Sequence, residues 1–135
     1  MKSEYRAAVA PGGVGVLPLG ELPALTGLEQ LQRIVDGRFP APPMTAHLDF
    51  QLVEVSEGHA RFEGTPRADF YNPLGTIHGG WAATLLDSAL ACSVHTTLAA
   101  GEAYTTLEIK VNMVRPIFDT TGLLAAEGTV VHRGR

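Results

Sequence analysis

The chain predicts an α+β fold, one long helix packed on a curved antiparallel sheet. Three observations predict it. Residues 81–100 form one Ala- and Leu-rich run without Pro that stops at Gly101. The segments before and after it alternate apolar and polar residues at a period of two. Except where the helix intervenes, the turns between those segments are short enough for antiparallel hairpins.

Residues 1–25 are rich in Gly and Pro and show no periodicity, which reads as a mobile tail ahead of one domain, 26–135. Thr26 and Glu29 have capping-box spacing, and Leu28, Leu31, Ile34 and Val35 give an apolar stripe ending at Gly37, so a short amphipathic helix is expected. Pro40, Pro42 and Pro43 then impose an extended connection. Leu48, Phe50 and Leu52 begin a strand that runs to about Val55, Glu57 and Gly58 turn the chain, and a second strand covers about Ala60 to Thr65. After the helix, Leu107, Ile109, Val111 and Met113 alternate with Thr106, Glu108, Lys110 and Asn112, the clearest strand pattern in the sequence. A last strand is expected from about Leu123 to His132. Four strands are few for a helix of this length, and the sequence stops as a strand finishes, so further strands are expected beyond Arg135 or from elsewhere.

Composition narrows the function. At 135 residues and 45% hydrophobic content the chain supports one core. A net charge of −4 excludes a broad nucleic-acid surface. A lone cysteine, Cys92, forms no intrachain disulfide, and no signal-peptide apolar core is visible, so the cytoplasm is the expected compartment. Asp87, His95 and several hydroxyls inside the helical run argue against a membrane span.

Asp87 is the only charged residue between Asp69 and Glu102. A carboxylate is costly to bury unpaired, so its site is either polar or functional. At the start of the same helix, Gly79 and Gly80 present backbone N–H groups at the positive helix end, where charge developing on a substrate oxygen is stabilised. Tight packing at a turn explains the glycines equally well. Eight residues separate Gly79 from Asp87, about 12 Å of rise and roughly 800° of rotation, so one helix cannot bring both to one carbonyl. If they act together, they come from two copies of the chain across a two-fold axis, and the unprotected strand from Thr105 to Val114 offers an edge for pairing.

The segment Asn72-Pro-Leu-Gly-Thr-Ile-His78-Gly79-Gly80, then Leu85-Leu86-Asp87, and later Thr105 to Pro116, closely resembles the hotdog-fold acyl-CoA thioesterases of the phenylacetate-pathway (PaaI-like) group. The resemblance spans about Thr26 to Arg135. It implies a helix wrapped by an antiparallel sheet, dimers often doubled to homotetramers, and strands beyond those visible here. It implies Asp87 as catalytic nucleophile or general base, the Gly79 N–H as oxyanion donor, and His78 and Asn72 orienting the thioester or water from the partner subunit. The substrate implied is an aromatic or medium-chain acyl-CoA, with no cofactor besides the coenzyme A of the substrate. Some relatives carry a hydroxyl one turn past the carboxylate. Here that position is Ala91, leaving Ser88 or Thr84 as weak substitutes.

Gly80, Trp81, Ser88 and Arg115 complete the expected substrate contacts, with core packing the stronger reading of Trp81 and solubility that of any single arginine among Arg115, Arg133 and Arg135. Cys92 and His95 read as core residues, Glu108 and Lys110 as a solvated strand face. His47, His59 and His132 lack metal-ligand spacing, and no metal is expected. An enoyl-CoA hydratase or dehydratase of the same fold, and a non-catalytic acyl-CoA binding module, are the competing readings.

Overall fold

A computed structural model describes residues 11–134. Helix α1 (Gly27–Val35) starts at the expected capping box: Glu29 N–H donates to the Thr26 hydroxyl and Thr26 N–H to the Glu29 carboxylate. It buries Leu31 and Ile34 with Phe39 and Ala41, and Gly37 leaves the helix at φ 75°. Strands β1 (Phe50–Ser56), β2 (His59–Gly64) and β3 (Leu124–Thr129) form an antiparallel sheet in that order. Val53 is an extra residue in β1, between the pairs Leu52–Phe62 and Glu54–Arg61. Helix α3 (Gly79–His95) lies on the sheet through Trp81, Leu85, Ala89 and Ser93, a stripe at four-residue spacing. Phe50, Phe62, Ile77 and Ala126 close the core beneath it. Helix and sheet meet backbone to backbone at Gly128, where a Cβ would stand 2.1 Å from the Ala89 carbonyl oxygen.

Several expectations change. The expected tail lies outside the described residues over 1–10. Over 11–25 it is a strap: Gly15 and Ala41 N–H groups donate to Ala41 and Gly13 carbonyls, and Leu17, Leu22 and Leu25 pack on the α1 core. The proline connection contains a helix, α2 (Pro43–Leu48), because Pro43 occupies a first-turn position where no N–H is needed. Leu48 therefore ends a helix, and β1 begins only after Asp49 has turned the chain at φ 54°.

Helix α3 ends one turn before the Gly101 cap expected for it. Thr96 and Thr97 hydroxyls donate to the Ser93 and Val94 carbonyls and capture the last turn. The segment expected as the clearest strand, 105–114, has no described ladder partner, and Leu107 and Val114 stand almost fully exposed. Nor is α3 enclosed on every side: Leu90 and Val94, on the face away from the sheet, are exposed. The last strand spans only Leu124–Thr129, shorter at both ends than the one expected from Leu123 to His132. No described helix is long and apolar enough to cross a membrane.

Candidate active site

The approach to α3 is bracketed by its own loop. Asn72 Oδ1 accepts from Leu74 and Thr76 N–H, its Nδ2 donates to the Thr76 hydroxyl at 2.8 Å, and Gly75 at φ 81° completes the turn. His78 N–H donates to the Phe70 carbonyl and Ile77 N–H to that of Ile117, which anchors both sides of the junction. The Asn72 side chain thus holds the loop that delivers His78 to the helix N-cap.

At that cap His78 Nδ1 accepts the Gly80 N–H at 2.9 Å, so a neutral ring carries its proton on Nε2. Sequence reasoning left both glycine N–H groups open. The structure takes the Gly80 N–H for the cap and leaves that of Gly79 without a partner among the described residues. Met113 passes over this point, its Cε 3.3 Å from where a Gly79 Cβ would lie. A side chain here would meet that methyl group.

Two turns along, Asp87 is half-buried and its Oδ1 accepts the Thr106 hydroxyl at 3.0 Å. Thr106 was missed in the sequence because it lies 19 residues away, in the unpaired segment that runs back along α3. The hydroxyls nominated near Ala91 are otherwise engaged: Thr84 and Ser88 each donate to the carbonyl four residues earlier, Gly80 and Thr84. Asp87 opens onto a cavity of about 490 Å³ between α3, α1, α2 and the sheet, of a size that suits a small organic group. Its walls include Leu31, Ile34, Met44, Phe50, Leu52 and Phe62, and Ser88, Ala91, Cys92 and His95 carry it along α3.

The other nominated residues separate. Trp81 lines none of the described cavities: it is buried, donates from Nε1 to the Leu48 carbonyl at 2.7 Å, and stacks on Phe70. Arg115 is exposed, with no ion pair among the described residues, whereas Arg133 pairs with Glu102. Arg135 lies outside the described residues. Burial, with Asp87 nearby, pushes the Cys92 thiol up to about 12, which leaves it a poor nucleophile. No group of three metal-ligating side chains forms among the described residues.

The sequence profile of the Thioesterase superfamily matches residues 74–135, from the loop before α3 through the segment that carries Thr106 and on past β3. Among solved structures, a point mutant of the phenylacetic acid degradation protein PaaI from Thermus thermophilus is 30% identical. That match covers 69% of this chain and 76% of the other, with a TM-score of 0.61. The chain belongs to the PaaI-like thioesterases. It has their hotdog fold and is a thioester hydrolase. A phenylacetic acid degradation-related protein from Ralstonia eutropha, a putative thioesterase, is 28% identical over 78% of this chain and 80% of its own, with a TM-score of 0.69. The E. coli PaaI protein from the phenylacetic acid degradation operon is 27% identical over 67% and 66%, with a TM-score of 0.58. No curated protein matches the chain. In this hotdog thioesterase one helix carries an N–H without a partner among the described residues at its start, a carboxylate two turns on, and the wall of a mainly apolar cavity beyond.

Proposed function

We propose that this thioesterase hydrolyses acyl-CoA, releasing a carboxylic acid and free coenzyme A, with an aromatic or medium-chain acyl group in the cavity beside Asp87. The observation that carries the reading is the Asp87–Thr106 pair in the wall of that mainly apolar cavity. Thr106 donates to Oδ1 and leaves Oδ2 to take the proton of a water molecule as that water attacks the carbonyl carbon. The carbonyl oxygen then gains charge and accepts a hydrogen bond from the Gly79 N–H of a partner subunit. Collapse of the intermediate breaks the C–S bond, and the thiolate leaves as a stable anion or takes the proton from Asp87. A thioester is electrophilic enough for these groups to act without a Ser or Cys triad.

In this reading His78 fixes the helix start, Asn72 shapes its loop, and Gly80 serves the cap. Arg115, without an acidic partner among the described residues, reaches the phosphates of coenzyme A. The working unit is a homodimer, doubled in a tetramer, in the cytoplasm, and it needs no cofactor of its own.

The test follows thiol release from phenylacetyl-, benzoyl- and hexanoyl-CoA by the wild type and Asp87→Asn. We expect the substitution to lower kcat by about a thousandfold while the oligomer persists. Wild-type protein that is folded and dimeric yet releases no thiol, or an Asp87→Asn variant that keeps full activity, sinks the proposal. Arg115→Ala should raise KM and leave kcat nearly unchanged, the pattern of lost ground-state binding.

A further inference from the structure

The cavity beside Asp87 has a polar group at its far end. Asp87, Ser88, Ala91, Cys92 and His95 all line it, so it follows one face of α3 for eight residues, about 12 Å from the carboxylate. The walls between are mainly apolar. His95 closes that end, its ring set edge-on to Tyr104 with centroids 5.2 Å apart.

Hydrogen bonding fixes the His95 tautomer. Gln30 Nε2 donates to the Leu22 and Leu25 carbonyls, both at 3.1 Å, so the Gln30 amide is oriented and its Oε1 is the atom 2.9 Å from His95 Nε2. An amide oxygen only accepts, so Nε2 carries the proton and Nδ1 is a bare acceptor. The Nε2–Cδ2 edge is the one against α1: Cδ2 stands 2.7 Å from where a Gly27 Cβ would lie. Gln30 lines a second hollow, which His95 also borders, and does not line the Asp87 cavity. The opposite edge of the ring carries Nδ1, which has no hydrogen-bond partner among the described residues and is not among the fully buried unsatisfied atoms, on a side chain that lines the Asp87 cavity. Nothing about a purely aliphatic acyl chain calls for an acceptor there.

We infer that His95 is a specificity-determining residue whose Nδ1 accepts a hydrogen bond from a hydroxyl at the distal end of the acyl group, so that the enzyme favours ω-hydroxyacyl thioesters over unsubstituted ones of equal length. This rests on the thioesterase reading and adds the substrate class. Burial makes the ring harder to protonate, which keeps Nδ1 an acceptor near neutral pH.

The test compares kcat/KM for ω-hydroxyacyl-CoAs from six to ten carbons with that for the matching unsubstituted acyl-CoAs. In parallel, calorimetry compares ω-hydroxyoctanoate with octanoate as free acids. Wild type should favour the best-fitting hydroxylated chain by about tenfold, the worth of one buried hydrogen bond. His95→Gln places its amide at the Nε2 position and loses the Nδ1 acceptor, so the ratio should fall to near one. His95→Asn places an amide oxygen at the Nδ1 position and should keep most of the preference, a rescue that a purely structural role does not produce. Equal use of both series by wild type, or a preference untouched in His95→Gln, overturns the inference while leaving the thioesterase reading intact. Failure to turn over any acyl-CoA sinks that reading instead, and the calorimetric preference then decides the role of His95 by itself.

Discussion

Thr106 is the residue on which the carboxylate's behaviour turns. Its hydroxyl is the only described hydrogen-bond donor to Asp87, and a charge-assisted bond of this kind contributes more than a neutral one. Thr106→Val keeps the shape and removes the donor, so kcat should drop about tenfold or more with little change in unfolding temperature. A variant with unchanged kcat would mean that the contact has no catalytic weight. Cys92 lies one turn further along the same cavity and behaves oppositely. With its thiol pushed up to about 12, only roughly one part in ten thousand is thiolate at pH 8. A disulfide reagent should therefore label the native chain slowly and the unfolded chain at once. Rapid native labelling would show that burial does not protect the sulfur. His95 adds a pH dependence of stability. Its folded value lies below the usual 6.5, so as pH falls through 6.5 the unfolded chain binds the proton first and stability declines, whereas above 6.5 the effect vanishes. His95→Gln should flatten that part of the stability profile.

At the scale of elements, the closest packing is between backbones. Gly128 of β3 approaches the Ala89 carbonyl so nearly that an added methyl group would lie 2.1 Å from its oxygen. Gly128→Ala must push β3 away from α3 and should destabilise the fold by about 1–3 kcal/mol in denaturant unfolding. Gly20→Ala, with open space around it, should be near neutral, and equal effects from the two would argue against the close approach. These elements also show what sequence can carry. The α1 capping box was legible because both partners lie within three residues. The end of α3 was misplaced because Gly101 is the stronger sequence signal, yet the Thr96 and Thr97 hydroxyls captured the carbonyls first. Helix α2 was hidden behind three prolines that read as extended chain, although Pro43 begins a helix. The motif around His78, Gly79, Gly80 and Asp87 was legible as a local pattern. That His78 would take the Gly80 N–H, and that Thr106 would reach Asp87, depended on loop geometry and a tertiary crossing that no spacing encodes.

For the whole molecule the decisive question is whether one chain can hold a complete site. Gly79 and Asp87 are fixed on a single continuous helix, about 12 Å apart along its axis, too far to meet on one carbonyl, and no hinge within α3 relieves this. Residues 105–114 meanwhile present a ladder with no described partner, and α3 leaves Leu90 and Val94 exposed beside it. A site shared across a two-fold axis makes a prediction that a single-chain site does not. Gly79→Pro removes the N–H at a first helical position, where proline is compatible with the helix once the flexible end of Met113 gives a few tenths of an ångström, and Asp87→Asn removes the carboxylate. Each homodimer should be nearly inactive. In a mixed dimer, however, the Asp87→Asn chain still offers its Gly79 N–H to the intact Asp87 of its partner. One of the two sites is then whole, and the other lacks both groups. Co-expression of the two variants should thus restore about a quarter of wild-type turnover, since about half of the dimers are mixed and each has one working site. If the groups act within one chain, every site in every dimer lacks one of them, and mixing restores nothing.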